Sequence, residues 1–315
     1  MTRGLPKRLH FKHGAYYYVA SGKWLKLSRD YPEALREYSL LVSGVGVGME
    51  ALLDRYLARQ KTAIAASTHT KYSNAAKRLK TVFAEFSPEL VKPHHVYAVR
   101  NQFTDKPAWA NQLLAVLKGA FQLAIEEGTI DTNPVREVKN LRELHRKRYI
   151  TDEEFKSIRG FANPSMQSIM DVAYQTGQRI SDVLGIRLSD ISENGIYFKQ
   201  AKTGTMLTVG WSAELRQAIA EAKRIHGSVK GFTLFHKRDG SPYAYRTVHD
   251  FWDRARIKAG LKDCRIHDLR AKAGTDASKQ GQDSKSLLGH KSDSSHSVYL
   301  RDPDIPIVEP VRVRK

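Results

Sequence analysis

A mainly α-helical, multidomain chain with small β elements is what this sequence predicts, and three patterns carry the expectation. From Met49 to about Asn140 apolar residues recur at helical spacing almost without a break. A short strand-turn-strand pattern precedes that stretch, and Gly195 to Gly210 reads as a hairpin within an otherwise helical last part. With 315 residues, 41% hydrophobic and 27% charged, the chain is long enough for two or three domains with cores of their own.

Taken in order, Ala15 to Val19 and Lys23 to Leu27 are strand-like, with turn chemistry at Ser21-Gly22. A short helix follows, with Pro32 at its first position and Ala34, Leu35, Tyr38 and Leu41 at helical spacing. The alternating glycines of Val42 to Gly48 suit a flexible connector, which places a boundary there. Helical runs are expected near 49–60, 68–86, 93–103 and 107–127, the last stopped by Gly128 and Asn133-Pro134. The second run sets Lys71, Lys77, Arg78 and Lys80 opposite Ala75, Ala76, Leu79, Val82 and Phe83, so one face packs and the other is basic. A merely solvated lysine face has the same pattern. A basic linker over 141–149 leads to Thr151 and Glu154, a capping box, and the domains are therefore 1–48, 49–140 and 141–315. In the hairpin, Ile196-Tyr197-Phe198 and Met206 to Val209 flank Lys202-Thr203-Gly204-Thr205, which puts a lysine at the tip.

Charge narrows the function. Lys and Arg number 52 against 33 Asp and Glu, a net +19, and the three domains carry +5, +4 and +10. Cations spread along a whole chain suit a protein that wraps a polyanion, nucleic acid first among them. The single cysteine, Cys264, excludes an internal disulfide or a thiolate metal cluster, and neither CxxC nor HExxH occurs, so no metal or other cofactor is expected. Without a signal-peptide core or a run of 18 apolar residues, an intracellular, non-membrane protein in a reducing cytosol is expected.

Taken one at a time, the polar residues of the last domain have ordinary explanations. Arg179 and Asp182 have the spacing of a helix-surface pair, His267 and Arg270 share a helix face, and Leu287-Leu288-Gly289-His290 reads as a helix end with glycine in the left-handed cap. Lys202 fits a solvated turn, and Tyr299 is one of 14 tyrosines. Their order together is different. R-x-x-D at Arg179, lysine in a hairpin at Lys202, H-x-x-R at His267, L-G-H ending at His290 and tyrosine at 299 resemble the signature of the tyrosine recombinase, or phage integrase, family. Thr176 to Ile186 and Leu287 to Ser292 carry the resemblance most specifically.

The resemblance implies a three-part architecture: a small three-stranded β plus helix unit like the arm-binding domain of lambda-like integrases, a helical SAM-like core-binding domain, and a mixed α/β catalytic domain. It implies a site-specific recombinase that integrates and excises a DNA element, with Arg179, Lys202, His267, Arg270, His290 and Tyr299 catalytic and Asp182 in support. Asp182 stands where many members have Glu, and Ser294-Ser295-His296 replaces a frequent Thr. A phenol with an ordinary pKa near ~10 needs a proton acceptor and a polarised phosphate to act as a nucleophile. His267 is the expected base, Arg179 and Arg270 the phosphate clamp, His290 a further donor, and Lys202 the acid for the leaving 5′-oxygen. Arg3, Lys7, Arg8 and Lys12, with Lys71, Lys77, Arg78 and Lys80, are the expected DNA contacts. The implied partners are double-stranded attachment sites of core and arm type, a homotetramer on that DNA, a host DNA-bending protein and an excisionase, all in the bacterial cytoplasm. The tail from Asp304, broken by Pro306 and Pro310, is expected to dock on a neighbouring protomer. The alternatives are a type IB topoisomerase and a catalytically silent architectural protein. The two amino-terminal units argue against the first and the complete residue set against the second.

Overall fold

The computed structural model describes residues 5–20, 23–42, 48–144, 146–225, 227 and 231–301. The Ser21-Gly22 turn, the glycine connector at 43–47, Arg3 and the tail after Arg301 lie outside the described residues. The chain divides into two compact units, Met1–Leu144 and His145–Lys315.

In the first unit Leu9–Lys12 (β1), Ala15–Ala20 (β2) and Lys23–Lys26 (β3) form an antiparallel sheet in the order β1-β2-β3. Strand pattern alone does not mark β1, whose turn is His13-Gly14. Both residues have positive φ, 49° and 71°, as a two-residue hairpin whose turn follows the strand twist requires. Helix α1 (Tyr31–Val42) buries Ala34, and the Tyr38 hydroxyl donates to the Lys7 carbonyl at 2.7 Å, which ties the helix to the start of the sheet.

Four helices follow: α2 (Met49–Ala63), α3 (Ala66–Val82), α4 (Pro93–Asn101) and α5 (Pro107–Glu126). Prolines open α4 and α5, where the missing N–H has no intrahelical partner to lose. Leu113, Leu114, Leu117, Ala120, Phe121 and Ala124 give α5 a broad apolar stripe, buried against Leu52 and Leu53 of α2 and Leu79 of α3. Each fully buried large side chain contributes about 1.5–3 kcal/mol. Gly119 breaks the stripe because the Tyr56 ring lies on it; a Cβ there would stand 2.3 Å from the Tyr56 hydroxyl oxygen.

The second unit opens with the expected capping box. Thr151 N–H donates to Glu154 at 3.0 Å, and Glu154 N–H to the Thr151 hydroxyl at 3.3 Å, starting α6 (Asp152–Phe161). Then come α7 (Pro164–Thr176), α8 (Ile180–Leu184), the strands β4 (Ile191–Ser192), β5 (Gly195–Lys199) and β6 (Met206–Val209), and α9 (Ala213–Ile225). The hairpin is β5–β6, with Lys199 opposite Met206, and β4 adds a third strand that the pattern did not announce. The chain continues with α10 (Tyr245–Lys258), α11 (Asp268–Lys279), α12 (Ser284–Leu288) and α13 (Asp293–Ser297). Trp252 is fully buried in the core of this unit, and its indole N–H donates to the Cys264 carbonyl at 3.2 Å.

Every residue of α11 from Asp268 to Ala277 is buried, four charged ones included. Lys272, 1% exposed, meets Asp152 at 2.5 Å, Asp276 at 2.9 Å and the Tyr149 hydroxyl at 3.2 Å. The Tyr149 and Tyr174 hydroxyls both donate to Asp276. An unpaired buried charge costs several kcal/mol, so this cluster fixes the helix against α6 and α7 at one depth. No described helix is long and apolar enough to cross a membrane.

Gly119→Ala should lower stability by about 1–3 kcal/mol through overpacking. The same change in a Tyr56→Leu background should cost less than it does in the wild type, since the clash is with the ring. Equal costs in both backgrounds, measured by urea unfolding, would place the strain elsewhere.

Candidate active site

His267 immediately precedes α11 and Arg270 lies in its first turn, so the three-residue spacing puts both on one face. Arg270 is 2% exposed. Its Nη1 donates to the Gly177 carbonyl at 2.8 Å, and its Nη2 donates to the Leu288 carbonyl at 2.5 Å and to His290 Nε2 at 3.1 Å. Both carbonyls end helices, α7 and α12, where backbone acceptors lack intrahelical donors and carry partial negative charge. Gly289, at φ 63°, makes the left-handed turn that ends α12 and leads directly into His290. The helix end read from Leu-Gly-His is therefore part of the site.

Arg179 occupies the N-cap position of α8 and donates to Gln200 Oε1 at 3.0 Å. Asp182 Oδ2 lies 3.8 Å from the same guanidinium, too far for a hydrogen bond. Its Oδ1 accepts instead from the Ala201 N–H at 3.0 Å. The carboxylate thus braces the hairpin backbone next to Lys202. Lys202 itself is exposed at the hairpin tip, and among the described residues no hydrogen bond or ion pair joins it to the other five.

The Tyr299 hydroxyl stands 3.1 Å from His267 Nε2, its ring centroid 4.7 Å from that of His290 and 5.4 Å from the Arg270 guanidinium carbon. It is held there from behind. The Thr275 hydroxyl donates to the Tyr299 carbonyl at 3.4 Å and accepts the Arg301 N–H at 2.9 Å, while the Arg301 guanidinium reaches Asp268 at 2.7 Å. Burial raises the Asp268 pKa, but hydrogen bonds from Arg301, the Arg265 N–H and Arg146 outweigh it and hold the carboxyl below its usual range.

The site is short of negative charge. Arg270 has no carboxylate within ion-pair distance among the described residues, and burial, then the charge of Arg179, push its pKa down to about 10. His267 opens onto solvent at the mouth of the site, yet the protein packed around it, with Arg270, Arg179 and Arg301, pushes its pKa down to about 4. Burial, Arg270, His296 and Arg179 do the same to His290, again to about 4. Both imidazoles are neutral at pH 7, so His267 Nε2 can accept the Tyr299 proton.

Sequence reasoning missed several supports. Gln178 and Gln200 lie buried beneath the arginines, Thr275 and Arg301 anchor the tyrosine, and His296 Nδ1 approaches His290 Nδ1 at 3.4 Å while its Nε2 meets the Ser284 hydroxyl at 3.0 Å. Only His296 had a signal, as the histidine in the Ser-Ser-His departure. Of the expected DNA contacts, Lys7, Arg8, Lys12, Lys71, Lys77 and Arg78 are exposed. The Lys12 ammonium lies 5.3 Å from the Trp24 ring centroid and the Arg78 guanidinium 5.8 Å from that of Phe103. Lys80 is turned onto α2, 2.7 Å from Asp54 and 3.4 Å from Glu50. No group of potential metal ligands occurs among the described residues.

A tyrosine hydroxyl beside a neutral histidine and two arginines on a mixed α/β scaffold defines a class of enzyme that attacks phosphodiesters with its own side chain. Comparisons with known proteins agree. Residues 148–304 match the phage integrase family. The integrase of Enterobacteria phage 434 is 28% identical, over 95% of this chain and 94% of that protein. A lambda integrase dimer bound to a core site superimposes with a TM-score of 0.75 at 26% identity, covering 100% of both chains. A lambda integrase tetramer on a Holliday junction gives 0.75 at 27% identity, over 98% of this chain and 99% of the other. The chain belongs to the tyrosine recombinase (phage integrase) family and is a lambda-like, site-specific recombinase.

For His267 and His290 the folded pKa of about 4 lies below the ordinary 6.5. Between these values the unfolded chain binds more protons, so their contribution to stability is complete above about pH 6.5 and is lost as pH falls toward 4. The thermal midpoint of the DNA-free protein should fall more steeply over that window than that of His290→Gln. Parallel curves would mean that His290 titrates normally.

Proposed function

We propose that Tyr299 is the nucleophile and that Arg179 and Arg270 clamp the non-bridging oxygens of the scissile phosphate. The observation that supports this best is a deeply buried guanidinium without a carboxylate partner, facing the Tyr299 ring beside a second guanidinium. A phosphate supplies the absent charge, and planar guanidinium donors match two of its oxygens. Tyr299 oxygen attacks phosphorus as its proton passes to His267, and the bond from phosphorus to the 5′-oxygen breaks. Lys202 on its hairpin donates the proton that the 5′-oxygen takes up, and His290, which accepts from Arg270 through Nε2 in the DNA-free protein, turns donor to the phosphate when Arg270 engages it. The product is a 3′-phosphotyrosyl bond with a free 5′-hydroxyl. Attack by the 5′-hydroxyl of a partner strand reverses the chemistry, so the phosphodiester energy is retained and no nucleotide cofactor enters.

On this reading the substrate is a pair of double-stranded attachment sites in the bacterial cytoplasm. The exposed cations Lys71, Lys77 and Arg78 on the helical segment suit core-type DNA, and Lys7, Arg8 and Lys12 beside the first sheet suit arm-type DNA. Lys80 serves chiefly to hold α3 to α2. By analogy with the lambda integrase tetramer on a Holliday junction, four protomers act together. The family resemblance of the sequence adds a host DNA-bending protein and an excisionase as accessory partners.

Tyr299→Phe should abolish the covalent protein–DNA adduct on a nicked suicide substrate while changing DNA affinity by no more than a few-fold. Arg179→Lys should lower the adduct rate by about 10²- to 10³-fold, because a point charge does not replace the paired donors. EDTA should leave cleavage unchanged. An adduct in Tyr299→Phe, or full activity in Arg179→Lys, contradicts the assignment.

A further inference from the structure

Gln200 immediately follows β5 at the foot of the Lys202 turn and is completely buried. All four of its amide positions are engaged. Its Oε1 accepts from Arg179 Nη1 at 3.0 Å and from the Thr203 hydroxyl at 2.8 Å. Its Nε2 donates to the Leu288 carbonyl at 3.0 Å and to Gln178 Oε1 at 2.8 Å. The Leu288 carbonyl is also the one that receives Arg270 Nη2. Gln178, 1% exposed, carries the contact onward, donating to the Thr176 and Leu287 carbonyls at 3.0 and 2.7 Å. The backbone of Gln200 closes the turn as well: its N–H donates to Thr205 at 2.8 Å and its carbonyl accepts from Gly204 at 2.8 Å. Gly289 leaves room for it, since a Cβ there would lie 2.7 Å from Gln200 Nε2.

From this geometry we infer that Gln200 is a positioning residue for strand cleavage. One amide sets the rotamer of Arg179, shares an acceptor with Arg270, and ties both to the turn that carries Lys202. The phosphate end and the leaving-group end of the site are thereby built as one piece. The amide is specific to the task in two ways. It accepts from Arg179 without adding a second negative charge to that of Asp182, which stands 3.8 Å away, whereas a carboxylate at hydrogen-bond distance would form a charge-assisted pair with the guanidinium. It also has two N–H donors for Leu288 and Gln178, which a carboxylate lacks. Gly289 is thus required twice, for its left-handed turn and for the approach of this side chain.

The inference rests on the clamp and acid roles given to Arg179, Arg270 and Lys202, and the test separates it from them. Full-length Gln200→Glu, Gln200→Ala and Arg179→Ala are compared with wild type for DNA affinity, for the single-turnover adduct rate at saturating DNA, and for thermal midpoint. A second substrate carries sulfur in place of the bridging 5′-oxygen, so that its leaving thiolate needs no proton from Lys202. Gln200→Glu and Gln200→Ala should bind DNA within about threefold of wild type and form adduct about 10- to 100-fold more slowly, the scale expected for misplaced catalytic groups. The sulfur substrate should recover part of the loss in Gln200→Ala, the part due to Lys202, but none of the part due to Arg179. Wild-type adduct rates in both Gln200 variants, or a loss that only tracks the fraction of unfolded protein, overturn the inference. If Arg179→Ala cleaves normally, it is the clamp reading that fails; if Arg179→Ala is inactive while the Gln200 variants are unimpaired, the positioning role alone fails.

Discussion

Arg270 holds a full positive charge at 2% exposure with no carboxylate at ion-pair distance among the described residues, and much of the second unit is arranged to make that tolerable. Burying a lone ion costs several kcal/mol, and hydrogen bonds to charged groups return about 1.5–3 kcal/mol each. The two carbonyl acceptors come from different helices, Gly177 at the end of α7 and Leu288 at the end of α12. Both helices must therefore stop where they do. Each stop is made by a left-handed glycine, and each stop places a residue of the proposed site: Arg179 two residues after Gly177, and His290 one residue after Gly289.

The same lack of negative charge governs the chemistry. Repulsion from the arginines, added to burial, keeps His267 and His290 neutral, which leaves His267 able to accept a proton but a weak base while the site is empty of phosphate. A bound phosphate between the guanidiniums cancels the repulsion and raises the affinity of His267 for the phenolic proton. On the proposed reading, substrate and base are coupled in this way through charge alone. The network behind the tyrosine, from Thr275 through Arg301 to Asp268, engages a buried carboxylate in the anchor.

What could be read from the sequence was the part whose signal is local. The helices of 49–140 follow apolar spacing, Thr151 and Glu154 cap α6 as written, and the ordered set from Arg179 to Tyr299 marks four residues, Arg179, His267, Arg270 and His290, that converge on the side of the tyrosine. The resemblance implied three strands in the first unit, but pattern alone did not place β1 because His13-Gly14 takes a turn usually signalled by Asn-Gly, and β4 was missed because two residues are too few to show alternation. Gln200 and Gln178 were invisible for a different reason: a buried glutamine has no periodicity, and its partners lie up to 109 positions away in the chain. Lys80 looked like a member of a basic face until α2 brought Asp54 against it. Asp182 kept its place in the motif, yet its short side chain reaches the hairpin backbone rather than a hydrogen bond to Arg179.

The central claim is that a phosphate completes an electrostatically unfinished site, and imidazole nitrogen NMR tests it most directly. In the free protein His267 and His290 should titrate near pH 4. In Tyr299→Phe bound to DNA with an intact scissile phosphate, both should move up by a unit or more, on the order of the effect of one close opposite charge. DNA with an uncharged methylphosphonate at that position should leave them close to their free values. Equal titration with either DNA, or ordinary values near 6.5 in the free protein, would contradict the account.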